Sequence, residues 1–217
     1  MRSMSWMRAF LFIWLTCASM MWSSFAVAQT RILMVGDSLT QGYGLPQGEG
    51  FVPQLELWLA DKGHDVSLIN AGVSGDTTAG GAERIDWLLT PDITHVVVAL
   101  GGNDVLRGID PQASLENLRK LLSSIQTREL GIMLVGISAP KNYGQAYQDD
   151  FDAIYPMLAN EFDTILVSNI MKPIMARTQL GESVFEYIQS DGLHPNPKGV
   201  ALIVEHIGPS ILELIKG

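Results

Sequence analysis

The stretch Arg31-Ile32-Leu33-Met34-Val35-Gly36-Asp37-Ser38-Leu39 runs from four consecutive apolar residues into a glycine, a carboxylate and a hydroxyl. An apolar run this short, stopped by Gly, reads as a strand buried on both faces, as in parallel sheets covered by helices. A hydroxyl just beyond the carboxyl end of such a strand lies where open α/β sheets bind their ligands. One segment thus predicts both the architecture and the location of the chemistry.

The remainder of the chain repeats the pattern. Residues 66–69, 95–100, 132–137 and 164–167 are further short runs rich in Val, Ile and Leu. Between them lie amphipathic segments. Leu115, Leu118, Leu122 and Ile125 recur at helical spacing, as do Phe51, Leu55 and Trp58. Val200, Ile203, Val204, Ile207, Ile211 and Leu214 make the apolar stripe of a last helix that Pro197 helps to start. Alternating strands and helices imply right-handed crossovers and helices on both faces of the sheet. The expected fold is a single flavodoxin-like three-layer α/β/α domain with a five-stranded parallel sheet. No internal repeat, low-complexity linker or charge block divides it.

Residues 1–28 read as a signal peptide and residues 29–217 as the domain. Arg2 and Arg8 supply a positive start, residues 9–22 an apolar stretch too short for a membrane span, and Ala26-Val27-Ala28 the small residues of a cleavage site. Export to the periplasm or beyond is expected, with no stable membrane anchor after cleavage. The only Cys of the 217-residue chain, Cys17, lies in this leader. The remaining 189 residues are therefore expected to have no disulfide, thiol nucleophile or thiolate metal site, and they suffice for one ordinary core. They keep 12 of the 14 Lys and Arg and all 23 Asp and Glu, for a formal net charge of −11. A phosphate backbone would be repelled, so nucleic acid is not an expected partner.

Four segments carry chemistry. Gly36-Asp37-Ser38 follows the first strand, Gly72-Val73-Ser74-Gly75-Asp76 the second, and Gly101-Gly102-Asn103-Asp104 the third. Asp191-Gly192-Leu193-His194-Pro195 lies in the long connection after the fifth. Acyl transfer needs an activated oxygen nucleophile, a proton acceptor and donors for the oxyanion. Ser38 is the candidate nucleophile, His194 the base and Asp191 the carboxylate that orients it. The backbone N–H groups of Ser38 and Gly75 and the amide of Asn103 are the candidate oxyanion donors. Asp37, Asp76 and Asp104 are read as turn caps. His64 reads as part of a solvated turn, His95 as the opening of a strand and His206 as a residue of the last helix, which leaves His194 as the best base. Activity should then rise with pH through the histidine's titration.

These four segments resemble the blocks of the SGNH (GDSL) hydrolases, with Ser38, Gly75, Asn103 and His194 at the four naming positions and Asp191 completing the triad. Thr40 stands where a Gly-x-Ser-x-Gly elbow needs its second glycine, so the ordinary α/β-hydrolase pattern fits less well. Residues 70–78, Leu106-Arg107-Gly108, Pro140-Lys141-Asn142-Tyr143-Gly144, and Phe151 followed by Ile154-Tyr155-Pro156 resemble the bacterial acyl-CoA thioesterase, lysophospholipase and arylesterase branch. That branch is typically periplasmic.

The resemblance implies a serine hydrolase acting on acyl or aryl carboxylic esters, acyl thioesters or lysophospholipids. A monomer with no cofactor and no metal is expected. Leu39, Leu106, Ile109, Pro140 and Tyr143, just beyond strand ends, are the expected acyl contacts. Two rival readings stand beside it. One is a carbohydrate-ester deacetylase with the same machinery. The other is a non-catalytic flavodoxin-like binding domain holding a cation among Asp37, Asp76 and Asp104.

Overall fold

A computed structural model describes residues 29–216. The expected signal peptide, residues 1–28, lies outside them. Five strands, β1 (Thr30–Gly36), β2 (Val66–Gly72), β3 (His95–Ala99), β4 (Gly131–Val135) and β5 (Ile165–Val167), form one sheet in the order β2-β1-β3-β4-β5. Every pairing is parallel. The fold is the single five-stranded α/β/α domain expected from the alternation.

Side chains alternate across the sheet. Leu33, Val35, Val96, Val98 and Leu134 join one core, and Ile32, Met34, Val97, Met133 and Val135 the other. Both sets are buried, so the strands read as continuous apolar runs. The first core is completed by helices α3 (Thr78–Leu88), α5 (Pro111–Gln126), α6 (Gln145–Asp152) and α7 (Ile154–Phe162). The second takes α2 (Phe51–Asp61), α8 (Lys172–Gln179) and α9 (Pro197–Leu214). Two short helices, α1 (Ser38–Gln41) and α4 (Gly102–Leu106), sit at the carboxyl ends of β1 and β3.

The expected helix stripes pack as their spacing requires. Leu115, Leu118, Leu122 and Ile125 of α5 are buried, as are all six named residues of α9. Pro197 starts α9 behind an Asn196 cap that accepts from the N–H groups of Lys198 and Gly199. Strand β2 runs three residues beyond its apolar stretch, to Gly72, because β1 pairs with it in register through Gly36. Strands β3 and β4 stop one and two residues earlier than expected. Gly136, directly after β4, has the carbonyl of Ser168 2.5 Å from where a Cβ would stand.

Chain order reverses between β1 and β3, so their carboxyl ends diverge into a crevice, the general ligand position of such sheets. The loops bearing Ser38 and Asn103 flank it. Gly101 turns the chain there at φ +120°, with the Tyr155 hydroxyl 2.2 Å from a hypothetical Cβ, so only glycine fits. The same hydroxyl donates to the carbonyl of Leu100 at 2.9 Å and holds the end of β3 from below.

Candidate active site

Ser38 is the first residue of α1, and the cap is Asp37, whose Oδ1 accepts the Leu39 N–H at 3.0 Å. The serine hydroxyl is therefore not used in capping. It reaches the long loop before α9, where His194 Nε2 lies 2.9 Å from Ser38 Oγ. His194 Nδ1 lies 2.6 Å from Asp191 Oδ2, and Asp191 Oδ1 accepts the N–H groups of Leu193 at 2.9 Å and His194 at 3.0 Å. These contacts, the Leu193 N–H foremost, hold the Asp191 carboxyl down to about 2. An ionised carboxylate only accepts, so Nδ1 carries the ring proton and Nε2 is left to accept the Ser38 hydroxyl.

Two residues that sequence reasoning missed support the imidazole. Tyr43 packs on it with ring centroids 4.7 Å apart. Gln189 accepts nothing from the ring but fixes its backbone. Its N–H donates to the His194 carbonyl at 2.7 Å, and its Nε2 to the carbonyls of Tyr43 and Pro195, both at 2.9 Å. The loop after Ser38 and the loop of His194 are thus clamped together across 146 residues of sequence. No spacing pattern announces such a clamp, because Gln189 has no motif around it.

Gly75 lies in the turn after β2, closed by the Asp76 N–H on the Val73 carbonyl at 3.0 Å. Its φ of +81° is what the third position of a type II turn demands. The Asn103 amide, on α4, is 3.5 Å from Asp37 Oδ2, at the outer limit of a hydrogen bond, which leaves its N–H groups available to a ligand.

The three aspartates behave as turn caps and ties. Asp104 is fully buried and accepts from the Thr78 N–H at 2.9 Å, the Thr78 hydroxyl at 2.5 Å and the Ser114 hydroxyl at 3.0 Å. Asp76 is held by Arg84 Nε at 2.8 Å. Burial pushes the Asp37 carboxyl up to about 6, against the opposing pull of the Leu39 N–H and of nearby His194. Each carboxylate has its own protein partners, and no cluster of three or more His, Cys, Asp or Glu suited to a metal occurs among the described residues.

A cleft of about 300 Å³ opens beside the serine, lined by Ser38, Asn103 and His194 and by an apolar wall of Leu39, Val105, Leu106, Ile137, Pro140, Met171 and Leu193. Of the expected acyl contacts, Leu39, Leu106 and Pro140 line it. Ile109 and Tyr143 do not. The Tyr143 hydroxyl donates to the Leu106 carbonyl at 3.2 Å and braces that loop, and the Tyr147 hydroxyl donates to the Ile109 carbonyl at 2.8 Å. Val105, Ile137, Met171 and Leu193 line the cleft without being among the expected contacts; Met171 lies in the loop after β5 and Leu193 between Asp191 and His194. Gly75 is outside the cleft lining, on the neighbouring turn.

A polar relay of this kind beside an apolar cleft at a sheet's switch point belongs to hydrolases of acyl compounds. Residues 34–202 match the GDSL-like Lipase/Acylhydrolase family. The chain is 34% identical over 194 residues to an arylesterase of Vibrio mimicus, covering 88% of this chain and 92% of that one. It is 35% identical over 192 residues to thioesterase 1/protease 1/lysophospholipase L1 of Escherichia coli (strain K12), covering 88% and 87%. It superposes with a TM-score of 0.69 on the crystal structure of AlinE4, a SGNH-hydrolase family esterase, at 41% identity, covering 85% of this chain and 96% of that one. The chain belongs to the GDSL-like lipase/acylhydrolase family.

Proposed function

We propose that this chain is a serine esterase and thioesterase that cleaves acyl or aryl carboxylic esters, acyl thioesters and lysophospholipids through an acyl-enzyme on Ser38. The observation that carries the proposal is the unbroken line Asp191–His194–Ser38, at 2.6 and 2.9 Å, opening into an apolar cleft. In this reading His194 Nε2 takes the Ser38 proton as Oγ attacks the carbonyl carbon. The oxygen that becomes negative is held by the N–H groups of Ser38 and Gly75 and the Asn103 amide. His194 then protonates the leaving alkoxide or thiolate, and Ser38 keeps the acyl group. A water deprotonated by His194 attacks the acyl carbon, the bond to Ser38 Oγ breaks as His194 returns the proton to it, and the acid leaves. Asp191, ionised throughout, keeps the imidazole in the required tautomer.

The apolar wall supports hydrocarbon or aryl acyl groups over sugar acetates, since each buried CH₂ contributes about 0.8 kcal/mol. A monomer is part of the proposal, with Ser38, His194 and Asp191 all supplied by the same chain. Export to the periplasm rests on the leader-like residues 1–28. The test is hydrolysis of p-nitrophenyl esters of two to sixteen carbons and of matched acyl thioesters, with Ser38→Ala in parallel. Turnover lost in the variant supports the proposal. An optimum at acetyl, with acetylated sugars preferred, would favour a deacetylase instead.

A further inference from the structure

Arg107 directly follows α4, and its side chain crosses to the turn after β2. There Nη2 donates to the Gly75 carbonyl at 2.8 Å. Its backbone N–H donates to the Asn103 carbonyl at 3.1 Å. One residue is therefore bonded to both of the residues read as oxyanion donors outside the nucleophile loop.

The other ties of the Gly75 turn lead elsewhere. The Val73 N–H donates to the Gly36 carbonyl at 3.0 Å, which fixes the turn to the end of β1. Arg84, on α3, holds Asp76 and also donates to the Gly36 carbonyl at 3.1 Å. Asp104 ties α4 to Thr78, at the start of α3 below the turn. Among the described residues, the side-chain bond to the Gly75 carbonyl from the end of α4 is the one made by Arg107. Without it, the turn keeps its closure, its link to β1 and the bond from the Ser74 hydroxyl to Gln41 of α1, but Gly75 loses its direct tie to the segment bearing Asn103.

We propose that Arg107 is a positioning residue that sets the separation between the Gly75 N–H and the Asn103 amide. This rests on the serine-hydrolase reading above. The guanidinium is exposed, so the bond is not one on which the core depends. Oxyanion stabilisation is different, because it falls steeply with donor placement, and a misplacement near 1 Å can cost on the order of 100-fold in rate.

The test is steady-state hydrolysis of p-nitrophenyl butyrate by the wild type, Arg107→Met, Arg107→Lys, Asn103→Ala and the Arg107→Met/Asn103→Ala double variant. Affinities for an aliphatic trifluoromethyl ketone and for butyrate are measured alongside. Arg107→Met should lower kcat roughly 10- to 100-fold with KM changed less than about twofold. Ketone affinity should fall in step with kcat/KM while butyrate affinity holds. Arg107→Lys, which keeps a charged donor, should recover part of the loss. In the Asn103→Ala background the Arg107→Met loss should shrink, as expected of groups acting on one oxyanion. Wild-type kcat in Arg107→Met, or equal losses for ketone and butyrate, would overturn the proposal. Should Arg107→Met fail to fold, Arg107→Ala, which also removes the donor, decides between the same outcomes. A wild type without Ser38-dependent turnover would instead sink the serine-hydrolase reading.

Discussion

His194 Nε2 lies 2.9 Å from Ser38 Oγ, although 156 residues separate them. The contact exists because β1 ends at the switch point of the sheet and the loop before α9 returns over that end. Its polarity follows from Asp191. The carboxylate is ionised far below neutral pH and fixes the ring proton on Nδ1, so the serine proton has one direction in which to go.

Asp191→Asn should therefore damage turnover rather than binding. The amide can donate to Nδ1 and favour the wrong tautomer. A fall in kcat of roughly 100- to 10,000-fold with little change in KM is expected. Because the Asp191 carboxyl titrates near 2, it should leave no inflection in a wild-type kcat profile between pH 4 and 9. A second acidic limb that vanishes in Asp191→Asn would contradict this assignment.

Asn103→Ala removes a donor that needs no titration. Loss of one such donor costs about 3 kcal/mol of transition-state stabilisation, so kcat should drop roughly 100- to 1000-fold while the folded state is retained. Kinetics paired with thermal melting check both halves. Near-normal kcat would remove Asn103 from the oxyanion site.

Asp37 makes a prediction about stability. Its folded pKa, about 6, stands above the unfolded value of 3.8 because burial penalises the charged form. The favourable contribution is complete below about pH 4 and is lost as pH rises through 6, amounting to about 3 kcal/mol. Asp37→Asn keeps an acceptor for the Leu39 N–H without the buried charge. Its stability relative to wild type, from urea unfolding, should rise by that order between pH 4 and 7.5. A difference that stays flat across this range would refute the buried-charge account.

The cleft wall predicts selectivity. Leu106 is 53% exposed at the mouth and lines the cleft, so its apolar surface is available to an acyl chain. Leu106→Ser should lower kcat/KM for long-chain esters while sparing acetyl esters, and Ile109→Ser should shift the preference less. A uniform loss across chain lengths would place the acyl group elsewhere.

The sequence made the sheet and the relay legible for the same reason. Parallel strands buried on both faces must be apolar throughout, so Ile32–Val35 and Val96–Val98 stand out, and the polar residues just beyond their ends stand out against them. Leu115 to Ile125 were legible because one helix face meets one core. The cleft wall was less so. Ile109 and Tyr143 occupy the right loops, but loop position does not say which way a side chain points, and neither lines the cleft; the Tyr143 hydroxyl is spent on the Leu106 carbonyl. Helix α1 was hidden by its length of four residues, too few for any period to register. Gln189 reaches the Tyr43 carbonyl across 146 residues and Arg107 the Gly75 carbonyl across 32, contacts that only the folded chain brings together.

The central claim is that Ser38 becomes acylated, and covalent trapping tests it most directly. The protein would be incubated with a p-nitrophenyl alkylphosphonate, then analysed by intact mass and peptide mapping, with residual esterase activity followed in parallel. One adduct per chain on Ser38, formed in step with loss of activity and absent in Ser38→Ala, is the predicted result. An active enzyme that stays unlabelled at Ser38, or one labelled elsewhere as activity disappears, would contradict it.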